Sequence, residues 1–343
     1  MAIIDKPSDY FNTVLWTGNA TDNTTISGVG FQSDWTWLKE RSSTSSHHLQ
    51  DSVRGATKAL ISNSTEAENI SSERLKSWNS DGFVIGTSGA VNQSSQTYVA
   101  WNWKAGTSFT NDASATGIGS IDSAGSVNTD AGFSIVTYTS TTGTVFHGLG
   151  VAPKVILMKA TNNADQWTMG HASLPSWTYG LALNTTGAQD SNSAFWNSTA
   201  PTSTVFSQGS WNDGYTKVAY CFAEKQGYSK FGSYTGNGNA DGTFVYLGFK
   251  PAFVLIKRTS GIAASWSVRD NKRNTFNPSD QVLYPHLSNI EATQTPLSID
   301  ILSNGIKVRG TDSDVNASGA TYIYMAFAEN PLVTSTGVPA CAR

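Results

Sequence analysis

Charged residues are scarce in this sequence, where Asp, Glu, Lys and Arg make up 14% of 343 residues, against about 25% in a typical soluble domain. The formal net charge is −3, so the chain lacks the basic field that holds a nucleic-acid backbone. It also lacks any run of about 18 apolar residues, the length needed for a transmembrane helix. We therefore expect no nucleic-acid partner and no insertion into a membrane.

Cysteine and targeting signals are also nearly absent. Cys221 and Cys341 are the only cysteines, too few for a disulfide framework. Cys221 lies in an apolar pattern typical of a buried residue, whereas Cys341 lies close to the C-terminus, where exposure is expected. Residues 1–7 lack the basic and apolar regions of a signal peptide. These observations predict a protein that is made in the cytoplasm and kept there until assembly.

Aromatic and small polar residues fill the composition instead. Aromatic side chains reach 11%, with 11 Trp, and the remaining background is rich in Ser, Thr, Asn and Gly. Many short apolar runs separated by such residues are typical of all-β proteins with many turns. The composition thus favours an all-β fold over a helical one.

A ten-residue pattern occurs three times along the chain. It runs from Gly30 to Lys39, from Gly150 to Lys159 and from Gly248 to Lys257, and recurrence at one internal spacing is the signature of repeats. Each copy reads as a turn, a buried strand and a terminal lysine. We interpret the glycines and lysines as structural hallmarks, with each lysine stem covering apolar surface and each amine in water.

Each copy also ends on a similar strand, at residues 97–103, 216–222 and 321–327. About 95 residues with six to eight short strands must bury one sheet face, which predicts three tandem antiparallel β-sandwiches of jelly-roll-like type; barrels are the alternative. The first copy also predicts a short helix, at 65–78. The predicted organisation is an N-terminal arm (1–12), module one (13–106), a Gly/Ser/Thr-rich linker (107–131), module two (132–226), module three (227–331) and a C-terminal tail (332–343).

The linker is compatible with a flexible tether or with an ordered extended arm. The boundary between modules two and three is much shorter than this linker. We therefore expect modules two and three to be tightly coupled and module one to be more independent.

Motifs for catalysis, metals and phosphates are missing, since the chain has no His-Glu-x-x-His, Cys-x-x-Cys, phosphate loop or nucleophile elbow. His47 and His48 with Asp51 could form a metal or acid/base group, and Asp312 with Asp314 could bind calcium. Solvated polar loops are the preferred explanation of both groups. The sequence therefore predicts no catalytic residue, no metal site and no cofactor.

Five tryptophans fall in irregular stretches and are the candidate binding or interface residues. Exposed tryptophans can stack on sugar rings, and they can equally anchor subunit interfaces. Any binding function is expected in the loops after each motif lysine, where the copies differ. The five are Trp167, Trp177, Trp196, Trp211 and Trp266.

The first copy carries an ensemble of motifs that resembles a known repeat domain. Residues 28–41 read Gly-Val-Gly-Phe-x-x-Asp-Trp-x-Trp-Leu-Lys-x-Arg, residues 48–55 read His-Leu-x-Asp-Ser-Val-Arg-Gly, and residues 97–106 read Thr-Tyr-Val-Ala-Trp-x-Trp-Lys-Ala-Gly. This ensemble is similar to a repeat domain of virion proteins from tailed bacteriophages, marine ones in particular, often labelled tail-fibre or structural proteins. The resemblance implies a virion component and supplies no catalytic residues.

The expected function is that of a non-enzymatic virion structural protein on the particle surface, tail-associated and active in assembly and host attachment. A capsid decoration protein, of cement or head-fibre type, is one alternative. A glycan-degrading depolymerase is the other, and it would need two carboxylates about 5–10 Å apart. Expected partners are other virion proteins, copies of the same chain (a trimer is favoured), and a host surface glycan or receptor.

Overall fold

The computed structural model describes residues 3–340, which are nearly all β. Cys341 lies outside the described residues. Within residues 3–340 the only α-helices are four of a single turn each, and no helix is long and apolar enough to cross a membrane. Turns of 3-10 helix lie at Pro7–Asp9 and Thr295–Leu297. The predicted all-β sandwich class is therefore confirmed.

Module one is built from two antiparallel sheets. Its main sheet has the order β1-β9-β3-β4-β5-β6 and its second sheet the order β2-β8-β7. The elements are β1 (Phe11–Thr17), β2 (Thr24–Ser27), β3 (Trp35–Glu40), β4 (His48–Asp51), β5 (Lys58–Ile61), β6 (Asn69–Ile70), β7 (Leu75–Asn79), β8 (Gly82–Ile85), α1 (Gly89–Asn92) and β9 (Thr97–Trp103).

Module two repeats this plan with two more strands in its main sheet and one fewer in its second sheet. Its main sheet has the order β10-β11-β12-β19-β14-β15-β16-β17, and β13 pairs with β18 in the second sheet. The elements are β10 (Thr107–Asn111), α2 (Ala113–Thr116), β11 (Ser123–Asn128), β12 (Phe133–Thr139), β13 (Gly143–Phe146), β14 (Val155–Ala160), β15 (Thr168–His171), β16 (Tyr179–Ala182), β17 (Asp190–Ser191), α3 (Ser193–Trp196), β18 (Val205–Gln208) and β19 (Thr216–Phe222).

Module three has a four-stranded main sheet, β20-β28-β22-β23, and a second sheet, β21-β27-β26, with β24 and β25 paired beside them. The elements are β20 (Ser229–Thr235), β21 (Phe244–Tyr246), β22 (Phe249–Arg258), β23 (Ser267–Asp270), β24 (Gln281–Val282), β25 (Ala292–Thr293), β26 (Ile299–Leu302), β27 (Gly305–Val308), α4 (Ser313–Asn316) and β28 (Thr321–Pro331).

Two of the expectations about the chain path are wrong. Residues 107–131 are an ordered part of module two, since β11 pairs with both β10 and β12. The helix predicted over 65–78 does not form: β6 and β7 lie there instead, and β7 pairs with β8. The acidic residues that suggested the helix start serve other contacts, since Glu68 forms an ion pair with Arg54.

The three repeated strands β3, β14 and β22 are buried on both faces. Alternate residues such as Leu38, Met158 and Ile256 face the cores of their own sandwiches. The intervening residues face a different core that all three modules share. Alternation of side chains along a strand allows this division, so each main sheet packs on its own second sheet with one face and on its two sister modules with the other.

The shared core makes the three modules a closed ring. At equivalent positions, the Glu68 amide donates to Thr161 O (2.7 Å), Gln189 to Thr259 (3.0 Å) and Glu291 to Arg41 (2.9 Å). These bonds run from module one to two, from two to three and from three back to one. The arrangement is thus pseudo-threefold. The expectation that module one is more independent than the other two modules is wrong.

The hallmark glycines have a conformational role at the start of these strands. Gly30, Gly150 and Gly248 have φ values of +84°, +70° and +81°, in the left-handed region that side chains with a Cβ disfavour. At the same end of the ring, the described part of the arm meets the tail, since Ser335 N donates to an Asp5 carboxylate oxygen (2.6 Å). The arm also contacts the end of module two there, where Ile4 N donates to Gln226 O (3.0 Å). We call this end the terminus face.

Candidate binding groove in module three

The motif lysines are buried at the boundaries between modules. Lys39, Lys159 and Lys257 have no exposed surface, so the expectation that their amines lie in water is wrong. Lys159 Nζ donates to Thr65 O of module one (3.2 Å), and Lys257 Nζ donates to Thr186 O of module two (3.0 Å). Lys39 donates to Glu40 O. These contacts support the structural interpretation and leave the amines inaccessible to a ligand.

Burial also makes these lysines sensitive to pH. It lowers the pKa of Lys39, Lys159 and Lys257 to about 8, and it does the same to Lys217, which lies inside module two. Each of these lysines has a lower pKa in the folded state than in the unfolded chain. At pH values between the two pKa values, the unfolded state therefore binds more protons. Stability should therefore rise with pH from about 8 towards 10.5, by up to about 1.4 kcal/mol per pH unit for each lysine.

The substitution Lys159→Met tests this linkage. It should reduce the rise in the free energy of unfolding between pH 7.5 and 9.5 by about one quarter, since one of four equivalent groups is removed. Urea unfolding across this range measures the slope, and it avoids higher pH, where buried tyrosines begin to oppose the trend. Lys6, whose side chain is 72% exposed, provides the control Lys6→Met. An unchanged slope in Lys159→Met would contradict the assignment.

The five candidate tryptophans are not a shared exposed platform. Trp167, Trp196 and Trp266 are buried, so the idea that they stack on sugars at the surface is wrong. Trp167 Nε1 donates to Ile61 O of module one (2.8 Å) and Trp266 Nε1 to Ala182 O of module two (3.0 Å). These two residues therefore anchor interfaces between modules of one chain.

The other three tryptophans lie together inside module two. Trp177 and Trp211 are half-buried; the Trp177 and Trp196 rings are 5.5 Å apart, and Trp211 Nε1 donates to Asp165 (3.1 Å). Nothing brings these rings next to Trp167 or Trp266, which lie in the shared core. The tryptophan-rich irregular stretches are therefore mainly packing elements.

Buried ion networks occupy two of the three module boundaries. Arg54 bonds Asp51 (2.6 Å) and Glu68 (2.8 Å), and Tyr220 of module two donates to Asp51 (2.7 Å). The spacing of Asp51 and Arg54 is the sequence signal that could have identified this pair. His48, beside this network in the chain, is buried in β4, and His47 accepts from Trp37 Nε1 (2.9 Å).

The second network repeats the first between modules three and one. Arg273 bonds Asp270 (2.5 Å) and Glu291 (2.8 Å), and Trp101 of module one donates to Asp270 (3.0 Å). At the third boundary, His171 stands at the position equivalent to Asp51. In both networks the carboxylates are occupied by arginines, so they stabilise the ring and do not form an open acid pair.

The candidate calcium group has a local role instead. Asp312 caps the one-turn helix α4 by accepting from Asp314 N (2.8 Å). Within residues 3–340, no group of three or more His, Cys, Asp or Glu side chains could hold a metal ion. The apolar cavity between the three modules measures only about 10 Å³, which is too small for a ligand.

An open groove of about 740 Å³ lies on the terminus face of module three. We call it the module-three groove. It lies between the loop after β23, the β26–β27 turn and the ends of β22 and β28. Its lining residues include Lys250, Asn271, Lys272, Phe276, Asn304 and Glu329.

The groove is rich in amides and carries one aromatic ring. Phe276 is 77% exposed, the most exposed of the large apolar residues in the described chain. Lys250 and Glu329 form an ion pair at 2.6 Å on the wall. Asn271 Oδ1 is buried and has no hydrogen-bond partner among the described residues. The groove therefore offers a flat apolar surface beside several hydrogen-bonding groups.

The loop that carries Phe276 is fixed on both sides. Before it, Asn274 Oδ1 accepts from Gln281 N (2.7 Å). After it, the Asn277 side chain both donates to Ile301 O (2.9 Å) and accepts from Ile301 N (2.8 Å). Sequence reasoning missed this groove, because it placed binding in the loops after the motif lysines.

The comparisons with known proteins identify a family and no solved fold. No curated protein and no solved structure matches the chain. A family model described as a domain of unknown function (DUF7483) matches residues 6–331, a range that includes all three modules. The family unit is thus the whole ring and not the single repeat. Because this match extends over nearly the full length, the chain belongs to the DUF7483 family.

Proposed function

We propose that this chain is a non-enzymatic structural protein of a bacteriophage particle, displayed on its surface, tail-associated, and acting in assembly and host attachment. The motif ensemble of module one supports a virion component by resemblance. The observation that carries the proposal further is the closed ring of three sandwiches on one core. Such a body presents three related outer surfaces from a single chain.

The ring suits a role in a symmetric assembly. Closed oligomers follow point-group symmetry, and their interfaces repeat around an axis. Equivalent contacts from Glu68, Gln189 and Glu291 give this chain an approximate threefold axis without a second copy. We propose other virion proteins as its partners, including a threefold assembly such as a trimeric tail part. A trimer of this chain itself remains part of the proposal.

Antibody labelling of purified particles tests the location. Antibodies against the full chain, viewed by negative-stain electron microscopy, should decorate the tail. Label on the head would overturn the tail assignment in favour of a capsid decoration protein. The absence of label from intact particles, together with absence of the chain from their protein composition, would contradict a virion role altogether.

The non-enzymatic part of the proposal has its own test. The groove contains one carboxylate, Glu329, which is paired with Lys250, whereas glycoside hydrolysis uses two. Incubation of the protein with host-cell polysaccharide should therefore release no reducing ends. Release that increases with protein concentration would establish a depolymerase and overturn the proposal.

A further inference from the structure

We propose that the module-three groove is an oligosaccharide-binding site, in which Phe276 stacks on a sugar ring and Asn271 Oδ1 accepts from a sugar hydroxyl. This inference rests on the proposed role in host attachment and gives it a specific site. The volume of about 740 Å³ falls within the range of about 300–1,000 Å³ that ligand sites occupy.

The first step of the argument is Asn271. Buried side-chain oxygens nearly always accept a hydrogen bond, and one that does not costs stability. Asn271 Oδ1 is buried beside the groove without such a bond from the described residues. A hydroxyl placed in the groove would supply the missing donor. The equivalent residue in module one, Ser52, is already satisfied, since its hydroxyl donates to Asp34 (2.7 Å).

The second step is the position of Phe276. Its ring is 77% exposed, although a free loop could fold it against the protein. The hydrogen bonds of Asn274 and Asn277 on either side fix the loop instead. A fixed loop loses little conformational entropy on binding, which favours affinity. An aromatic face beside polar groups suits a sugar, which has an apolar ring face and a rim of hydroxyls.

The third step is the chemistry of the groove walls. Amide side chains both donate and accept hydrogen bonds, as sugar hydroxyls do. Asn271 and Asn304 line this groove together with Asn274 and Asn277, whose amides also hold the loop. The Lys250–Glu329 ion pair lies among them. An amide-rich wall is suited to hydroxyls more than to a lipid chain or an apolar peptide.

The groove is also specific to module three. The loop that forms it spans residues 271–280, whereas the equivalent connections span 52–57 in module one and 172–178 in module two. The two shorter connections leave no room for counterparts of Phe276 and Asn277. Each ring therefore has one such site, although the ring as a whole is approximately threefold.

Two groove variants and one matched control test the proposal with the full chain. The probe is a printed array of bacterial O-antigen and capsular oligosaccharides, followed by calorimetric titration with each saccharide that binds. Phe276→Ala should weaken binding about tenfold or more, the effect expected for a central aromatic contact. Phe244→Ala is the control, since Phe244 is also exposed in module three, at 43%, but lies outside the groove.

The variant Asn271→Leu separates binding from folding. It should weaken saccharide binding while leaving the midpoint of thermal unfolding unchanged or higher, because it removes a buried oxygen without a partner. Loss of binding together with lower stability would indicate a merely structural role and overturn the assignment.

Two results overturn the groove assignment directly. One is that the wild-type chain binds no saccharide on the array. The other is that Phe276→Ala and Phe244→Ala bind equally well. The particle labelling is independent of both: labelled virions with a blank array refute the groove and keep the virion role, whereas unlabelled virions with groove-dependent saccharide binding refute the virion role alone.

Discussion

Replacing Trp103 with alanine should lower the free energy of unfolding by about 3–5 kcal/mol, the usual cost of truncating a buried tryptophan. The Trp103 ring centroid lies 4.5 Å from that of Trp35, 4.9 Å from Phe11 and 5.6 Å from Phe253 of module three. The resulting cavity would therefore open between modules. Since the whole stability of a globular protein is about 5–15 kcal/mol, the loss is large, and urea unfolding followed by circular dichroism measures it.

The same variant tests whether the ring unfolds as one unit. All three modules contribute residues to the core around Trp103, so its loss should weaken them together. Amide hydrogen exchange should show reduced protection in β3, β14 and β22 alike. Reduced protection confined to module one would contradict the shared core as the unit of folding.

Two further substitutions control for ring size and location. Trp103→Phe should cost much less, because it keeps an aromatic ring and removes an indole nitrogen that has no partner among the described residues. Trp16→Ala, at a half-buried site packed on Tyr98 within module one, should destabilise less than Trp103→Ala. A larger cost at Trp16 would argue that the separate sandwich cores dominate stability.

Acidification from pH 6.5 to about 4 should unfold the protein cooperatively. All five histidines are buried. Burial lowers the pKa of His147, His171 and His286 to about 4 and that of His48 to about 3, and it lowers the pKa of His47 well below its ordinary value. Unfolding exposes these rings and raises each pKa, so the unfolded state gains protons as the pH falls.

The size of this effect follows from the shifts. A folded-state pKa about 2.5 units below the unfolded value of about 6.5 corresponds to about 3 kcal/mol per group near pH 4. Several such groups together approach the whole stability of about 5–15 kcal/mol. Burial raises the pKa of Asp34, which opposes the trend, but it is one group against five. Circular dichroism during a pH titration measures the midpoint.

His286→Leu provides the decisive variant for acid unfolding. Both ring nitrogens of His286 are buried without hydrogen-bond partners among the described residues, so its loss should cost little at pH 7.5 and should lower the acid midpoint. His147→Leu also removes a histidine with a lowered pKa, but it removes in addition the hydrogen bond from Leu149 N to His147 Nδ1 (3.2 Å). This variant should therefore destabilise the protein at neutral pH. Acid unfolding that is unchanged in His286→Leu would count against buried histidines as its cause.

The repeat motif predicted the local structure well and the environment of its side chains poorly. The glycine-to-lysine spacing identified β3, β14 and β22. The pattern predicts lysine amines in water because each lysine stands at a strand end, but a single sandwich would also leave its outer sheet face exposed. In the ring that face is covered by a neighbouring module, which buries Lys39, Lys159 and Lys257 instead.

The candidate site depended on contacts that the sequence does not display. Phe276 and Asn271 are unremarkable in a Ser/Asn-rich chain, and their loop comes after β23, not after the motif lysine. What makes them notable is the position of the β26–β27 turn opposite, some 25 residues further along. The tryptophans that the sequence suggested as binding residues, such as Trp167 and Trp266, are packed in the shared core instead.

The sequence by itself determined the all-β class, the threefold repetition and the strands that carry it, because these depend on local alternation, turn chemistry and spacing. Tertiary structure alone decided that the repeats close into a ring, that 107–131 extends a sheet, and that module three has a groove. These outcomes depend on which apolar sheet faces meet, and every main sheet had two faces to bury. Packing three such faces together satisfies all of them at once, and no pattern within one repeat encodes that choice.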